Sequence, residues 1–192
     1  MKLSYLLAAA FSTSIALPAL ANDDMAKYQD EARKVAKEFV TQLGGELKKE
    51  MEANGPGAAV KVCRNVAPAI ASELSRKNGW KVGRVSQKVR NPLLGMPDAW
   101  EQKVLADFDQ RLEKENPANM DYAEIVTEPQ GKYFRYMKAI PIQDACLKCH
   151  GTDEARAQPV KDTLAADYPH DKATGYTLGQ LRGAVTIKRP LF

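Results

Sequence analysis

Apolar residues recur at spacings of three and four from Asp23 to about Met51. Tyr28, Ala32, Val35, Phe39, Leu43 and Leu47 fall on one face, which predicts a long amphipathic helix. Gly44-Gly45 weakens its centre and predicts a bend there. Asn54-Gly55-Pro56-Gly57 is a turn. A second helix follows, with Ala59, Cys63, Val66, Ala67, Ile70 and Leu74 on its apolar face and Asn78-Gly79 at its end. Pro68 lies inside it and has no N–H for the carbonyl of Arg64, so a kink is expected one turn beyond Cys63. From Trp80 to Val89 the pattern has strand character, and Arg90-Asn91-Pro92 opens a loop that runs to Pro97. A third helix covers about Asp98 to Lys114, with Trp100, Val104, Phe108 and Leu112 inward. Tyr122 to Thr127 and Lys132 to Ile142 predict a hairpin about the turn Glu128-Pro129-Gln130-Gly131. Gly151 to Gly179 reads as a long, turn-rich connection, and Arg182 to Arg189 as a last strand. Helices early and antiparallel strands late predict an α+β domain. The first helix packs on its own domain or pairs with a second copy, so a homodimer through residues 23–51 is one expectation.

The N-terminus changes where this domain should reside. Lys2 precedes a mostly apolar run from Leu3 to Leu20, and Ala19-Leu20-Ala21 forms a small-residue cleavage site before Asn22. This predicts a secretory signal peptide over residues 1–21 and a single domain over 22–192, with the periplasm as the expected location. An uncleaved anchor is the competing reading. The run is short and nothing like it follows, so no stable membrane span is expected after cleavage. Lys and Arg number 28 against 24 Asp and Glu, with no basic cluster, which argues against a nucleic-acid partner.

Candidate chemistry centres on Cys146-Leu147-Lys148-Cys149-His150, which has the C-x-x-C-H spacing that attaches haem c. Two thiols add across the haem vinyl groups and the adjacent histidine becomes the proximal iron ligand. A bare C-x-x-C also serves as a zinc half-site or a redox disulfide. Against these, no second C-x-x-C completes a four-cysteine zinc site, and the motif falls late, after a strand. One covalent haem c, held by Cys146, Cys149 and His150, is therefore expected.

The sixth iron position is less determined. No Met follows Met137, so the usual downstream Met ligand is absent. His170, in a polar Tyr-Pro-His-Asp turn, is able to ligate but reads better as a surface histidine, which makes it the next candidate after Cys63. Cys63 is an odd cysteine with no disulfide partner once the other two hold haem. It is open to two readings, a buried core cysteine or an iron ligand.

Four stretches resemble the family of single-haem c-type proteins with a PAS-like fold, long catalogued as a domain of unknown function. They are AVKVCRNVAPAIASELS at 59–75, GWKVGRVSQKVRNPLLGMPDAWE at 79–101, FRYMKAIPIQDACLKCHG at 134–151 and YPHDKATGYTLGQLRGAVTI at 168–187. That domain occurs alone and as an input module ahead of histidine kinases. The resemblance implies an antiparallel sheet of about five strands with helices packed on one face. It also implies Cys146 and Cys149 as thioether attachments, His150 as proximal ligand and Cys63 as distal ligand. The chain departs from the family pattern at Arg84-Val85-Ser86-Gln87-Lys88 and at Leu94-Gly95-Met96.

A thiolate donor stabilises ferric over ferrous iron, so Cys/His ligation implies a low potential. On reduction Cys63 is the ligand poised to leave, opening a place for CO or NO. The haem propionates need cationic or hydrogen-bonding partners, and Arg84, Lys88, Arg90, Asn91 and Tyr136 are the candidates. The leading expectation is a periplasmic redox or gas sensor module with an undetermined protein partner. The alternative is a low-potential electron-transfer cytochrome. No distal His-Arg pair is evident, and an occupied sixth position argues against an enzyme.

Overall fold

The structure, a computed structural model, describes residues 19–112 and 114–192. Residues 1–18 of the expected signal peptide lie outside the described residues. Helix α1 (Ala19–Lys61) buries Ala32, Val35, Ala36, Phe39 and Leu43, with Tyr28 and Leu47 packed at the margin, so its apolar stripe faces the domain's own core. The helix does not break at Gly44-Gly45, because Leu43 and Leu47 on either side dock on that one core. It breaks at Gly55, whose φ of 81° and ψ of 174° suit glycine alone, immediately before Pro56.

One π-helical turn, Val62–Val66, follows, closed by the Ala67 N–H donating to the Val62 carbonyl, and α2 (Ala67–Asn78) continues from it. The distortion expected beyond Cys63 thus falls on Cys63 itself. Pro68 cannot serve the Arg64 carbonyl, and the backbone takes in an extra residue just upstream.

The remaining elements are β1 (Lys81–Val85), the single turn α3 (Pro92–Gly95), α4 (Ala99–Arg111), β2 (Asp121–Glu128), β3 (Gly131–Pro141), α5 (Asp144–His150), α6 (Gln158–Asp167) and β4 (Leu181–Leu191). The strands form one antiparallel sheet in the order β1-β4-β3-β2, four strands among the described residues rather than about five. Glu128 pairs with Gly131 across the hairpin, Tyr136 with Ile187, and Val85 with Ala184. β1 stops at Val85 rather than Val89 because Ser86 turns the chain, its Oγ lying 2.9 Å from the Lys88 carbonyl and 2.7 Å from that of Arg182.

Helices cover both faces of the sheet, which corrects the one-face expectation. Val82, Phe134, Tyr136, Val185 and Ile187 face α1 and α2. Val85, Met137, Ala139 and Ala184 face Val104, Leu105 and Phe108 of α4. The reason is legible in β3, where Phe134 to Met137 are buried without alternation, the pattern of a strand covered twice. The α+β class stands. The connection after residue 151 carries α6, which was not expected; Val160 and Leu164 are its only buried residues, too few to mark a helical period.

Candidate functional site

The motif Cys146 to His150 lies on α5, directly beyond the end of β3. Helical spacing sets Cys146 and Cys149 three apart and Cys146 and His150 four apart, which gathers all three on one side. The end of α5 is pinned by backbone. Gly151 N–H donates to the Leu147 carbonyl at 2.8 Å, and Tyr176 N–H donates to the His150 carbonyl at 3.0 Å. A Cβ at Gly151 would sit 2.6 Å from the Leu147 oxygen, so the residue after the histidine must be glycine for this turn to close.

The loop after α6 orients His150. Its Nδ1 lies 2.6 Å from the Ala173 carbonyl, which can only accept. Arg90 Nη2 also lies 3.2 Å from Nδ1, but the much shorter carbonyl contact there and the donor facing Nε2 assign the proton to Nδ1 and the lone pair to Nε2. Arg182 Nε donates to that Nε2 at 3.4 Å. Burial and the flanking Arg90 and Arg182 guanidiniums hold His150 well below its ordinary range, so the imidazole is neutral. A neutral ring fixed through Nδ1–H to a carbonyl is the form that binds metal through Nε2.

Arg90 ties this loop to the motif. Its Nε donates to Asp171 Oδ2 at 3.0 Å and its Nη2 to the Cys149 carbonyl at 2.8 Å, and both side chains of the ion pair are buried. Asp171 Oδ1 in turn accepts from Ala173 N–H at 2.7 Å, setting the carbonyl that holds His150.

Cys63, Cys146, Cys149 and His150 all line one cleft of about 1580 Å³, with Phe39 and Val60 contributing apolar wall. Arg84 faces the Cys63 sulfur from β1, its guanidinium 5.5 Å from the Phe39 ring. Burial, opposed by Arg90, pushes the Cys149 thiol up. Burial and the neighbouring Cys63 push the Tyr168 phenol up to about 12.

These residues fit a haem. The cleft is long and largely apolar, and it carries two soft or imidazole donors beyond the motif thiols. Burial and the nearby Arg90 lower the pKa of Arg84, and burial with Arg90 and Arg84 lowers that of Arg182, yet Asp171 is the only carboxylate paired with any of the three among the described residues. Arg90 Nη1 is buried with no partner. Two propionates would match this surplus of cationic donors. No cluster of three His, Cys, Asp or Glu side chains suited to a bare metal ion occurs among the described residues.

Of the residues the sequence singles out, Arg84, Arg90 and Asn91 line the cleft with the motif and Cys63. Asn91 also caps α3, its Oδ1 accepting from Leu93 N–H at 3.0 Å. Tyr136 borders the cleft, but its hydroxyl donates to Asp121 Oδ2 at 3.1 Å, a carboxylate already held by Arg33. Lys88 does not line the cleft; its Nζ donates to the Thr174 carbonyl at 3.2 Å and lies over the Tyr176 ring. His170 is exposed. Sequence reasoning missed Arg182, Asp171 and Tyr168, although all three lie in the resembling stretch 168–187.

A family model described as Tll0287-like matches residues 19–190. A solved structure, the crystal structure of the cyanobacterial heme-protein Tll0287, superposes with a TM-score of 0.62 at 24% identity, over 88% of this chain and 96% of that one. Comparison with curated proteins finds no match.

Proposed function

The chain belongs to the Tll0287-like family, and from that premise we propose that it is a c-type haem protein acting as a periplasmic redox or gas sensor module. The relative of known structure is described as a haem protein, which supports the haem reading. The observation that carries it is His150, neutral and fixed through Nδ1, whose Nε2 lone pair meets only the long 3.4 Å contact from Arg182 and is there to bind a metal in the cleft that Cys63, Cys146 and Cys149 also line. Haem supplies a redox-active iron. Cys146 and Cys149 would hold it covalently, His150 would be the proximal donor and Cys63 the distal one. Arg84, Arg90 and Arg182 would receive the propionates.

An anionic sulfur donor favours the ferric state, which sets a low potential. Cys63 sits on a π-turn, a rare backbone form found mostly at functional sites, and an anionic donor is the one that reduction of the iron disfavours, so Cys63 is the donor suited to release. Release would admit CO or NO, and this favours sensing. The competing role, a low-potential electron carrier, draws support from Leu93 and Leu94, which line the cleft mouth and are 93% and 60% exposed, as an apolar docking lip.

The test is covalent attachment. Protein matured in a host with haem-attachment machinery should keep haem stain after denaturation and gain the mass of one haem. Replacing Cys146 and Cys149 together should abolish both. Loss of all haem from the denatured wild type would refute the reading. CO added to the reduced protein separates the two roles: a shifted spectrum supports a switching site, and an unchanged one supports a carrier.

A further inference from the structure

We infer that Arg64 and Asp167 are a positioning pair that holds the π-turn in the register presenting Cys63 to the cleft. The inference rests on the proposed role of Cys63 as a releasable distal ligand and names what controls its release.

The π-turn Val62–Val66 is a local excess of one residue, and such an excess can pass along a helix when nothing fixes it. Shifting it would swing Cys63 and Arg64 together around the helix axis. Arg64 is anchored. Its Nη1 donates to Asp167 Oδ1 at 2.6 Å, across from the last turn of α6. Asp167 is nearly buried, and its other oxygen, Oδ2, is buried with no partner, so Arg64 supplies the only cationic contact to this carboxylate among the described residues. Losing that contact leaves a largely covered carboxylate without its cation, so the register that keeps it is favoured by the modest amount a partly exposed pair supplies.

α6 is itself a firm anchor. Val160, Leu164 and Tyr168 pack on Val60, one turn before Cys63. A Cβ at Gly57 would come within 3.0 Å of Pro159, so the two helices approach as closely as glycine allows. Cys149 packs on the same cluster. The pair therefore links the Cys63 turn to the element beside the haem motif.

The experiment measures how fast iodoacetamide labels Cys63 in the reduced full-length protein, read from the peptide carrying it. Arg64→Gln and Asp167→Asn should each raise the rate about fivefold, the size a partly exposed ion pair supports. Charge alone would move the two variants in opposite directions, since one removes a cation near the thiol and the other an anion. Arg64→Asp combined with Asp167→Arg should restore the wild-type rate. Amide exchange in β3 and β4 should be unchanged in all variants, which excludes general loosening. In the haem-loaded protein the single variants should also bind CO about fivefold faster. Unchanged labelling, opposite shifts, or failure of the exchanged pair to restore would overturn the inference. Absence of covalent haem in the wild type would instead refute the functional reading, while labelling still decides the role of the pair.

Discussion

A buried imidazole between two guanidiniums stays neutral, and His150 is held so by the fold rather than by the motif that contains it. Arg90 is the residue on which that arrangement turns, because it joins Asp171, the Cys149 carbonyl and the histidine loop. Arg90→Met should lower stability by about 3–5 kcal/mol, since Asp171 is left as a buried, unpaired carboxylate. Denaturant unfolding measures the loss, and faster amide exchange around residues 171–176 should accompany it. At this scale the motif is legible in the sequence and the residues that support it are not. The spacing of Cys146, Cys149 and His150 is local chemistry and can be read directly. Arg182 and Asp171 act through positions that depend on the path of a loop, and no spacing encodes that path. Lys88 and Tyr136 had the right chemistry but are engaged elsewhere, by Thr174 and Asp121.

Among the elements, α1, α4 and the β2–β3 hairpin were plain in the pattern because each has several turns or pairs of consistent periodicity. The π-turn was only half legible: Pro68 announced a defect but not where the backbone would absorb it. α6 was hidden by its brevity. The start of α4 shows a strong local signal, as Asp98 and Glu101 cap each other reciprocally. Burial alone would push the Asp98 carboxyl up, but hydrogen bonds from Arg135 and from the Glu101 and Trp100 N–H groups hold it below its usual value. A depressed folded-state carboxyl stabilises above the unfolded-state value near ~4 and loses that contribution as pH falls through the folded-state value. Asp98→Ala should therefore cost about 1 kcal/mol at neutral pH through loss of the cap. Asp98→Asn keeps a capping oxygen and removes the charge, so its deficit against wild type should close as the solution is acidified below about pH 4. Thermal unfolding across that range measures both.

For the whole molecule, the two faces of the sheet carry different duties. The α1–α2 face borders the cleft, while the α4 face is a closed core around Phe108 and Met137. Phe108→Ala should cost about 3–5 kcal/mol. It should leave the optical spectrum of the haem-loaded protein unchanged, since no α4 residue lines the cleft. A spectral change equal to that of a cleft variant would contradict this division. The sequence predicted the class of this architecture but not the second helical layer, because burial on both sides of β3 is a property of its neighbours.

The strand order has a consequence for how the molecule comes into being. β4 is the last of the four strands in chain order, yet it lies between β1 and β3 and pairs with both. A ribosome that has released β1, β2 and β3 has made one hairpin and one strand with nothing to pair with. The apolar stripe of α1 meanwhile has only part of its eventual floor. Assembly must wait for the most distant segment and close long loops to use it, which places this chain among slow, nonlocal folders. Interruption of synthesis anywhere before residue 181 would yield no partial sheet joining the two halves, and with it no cleft.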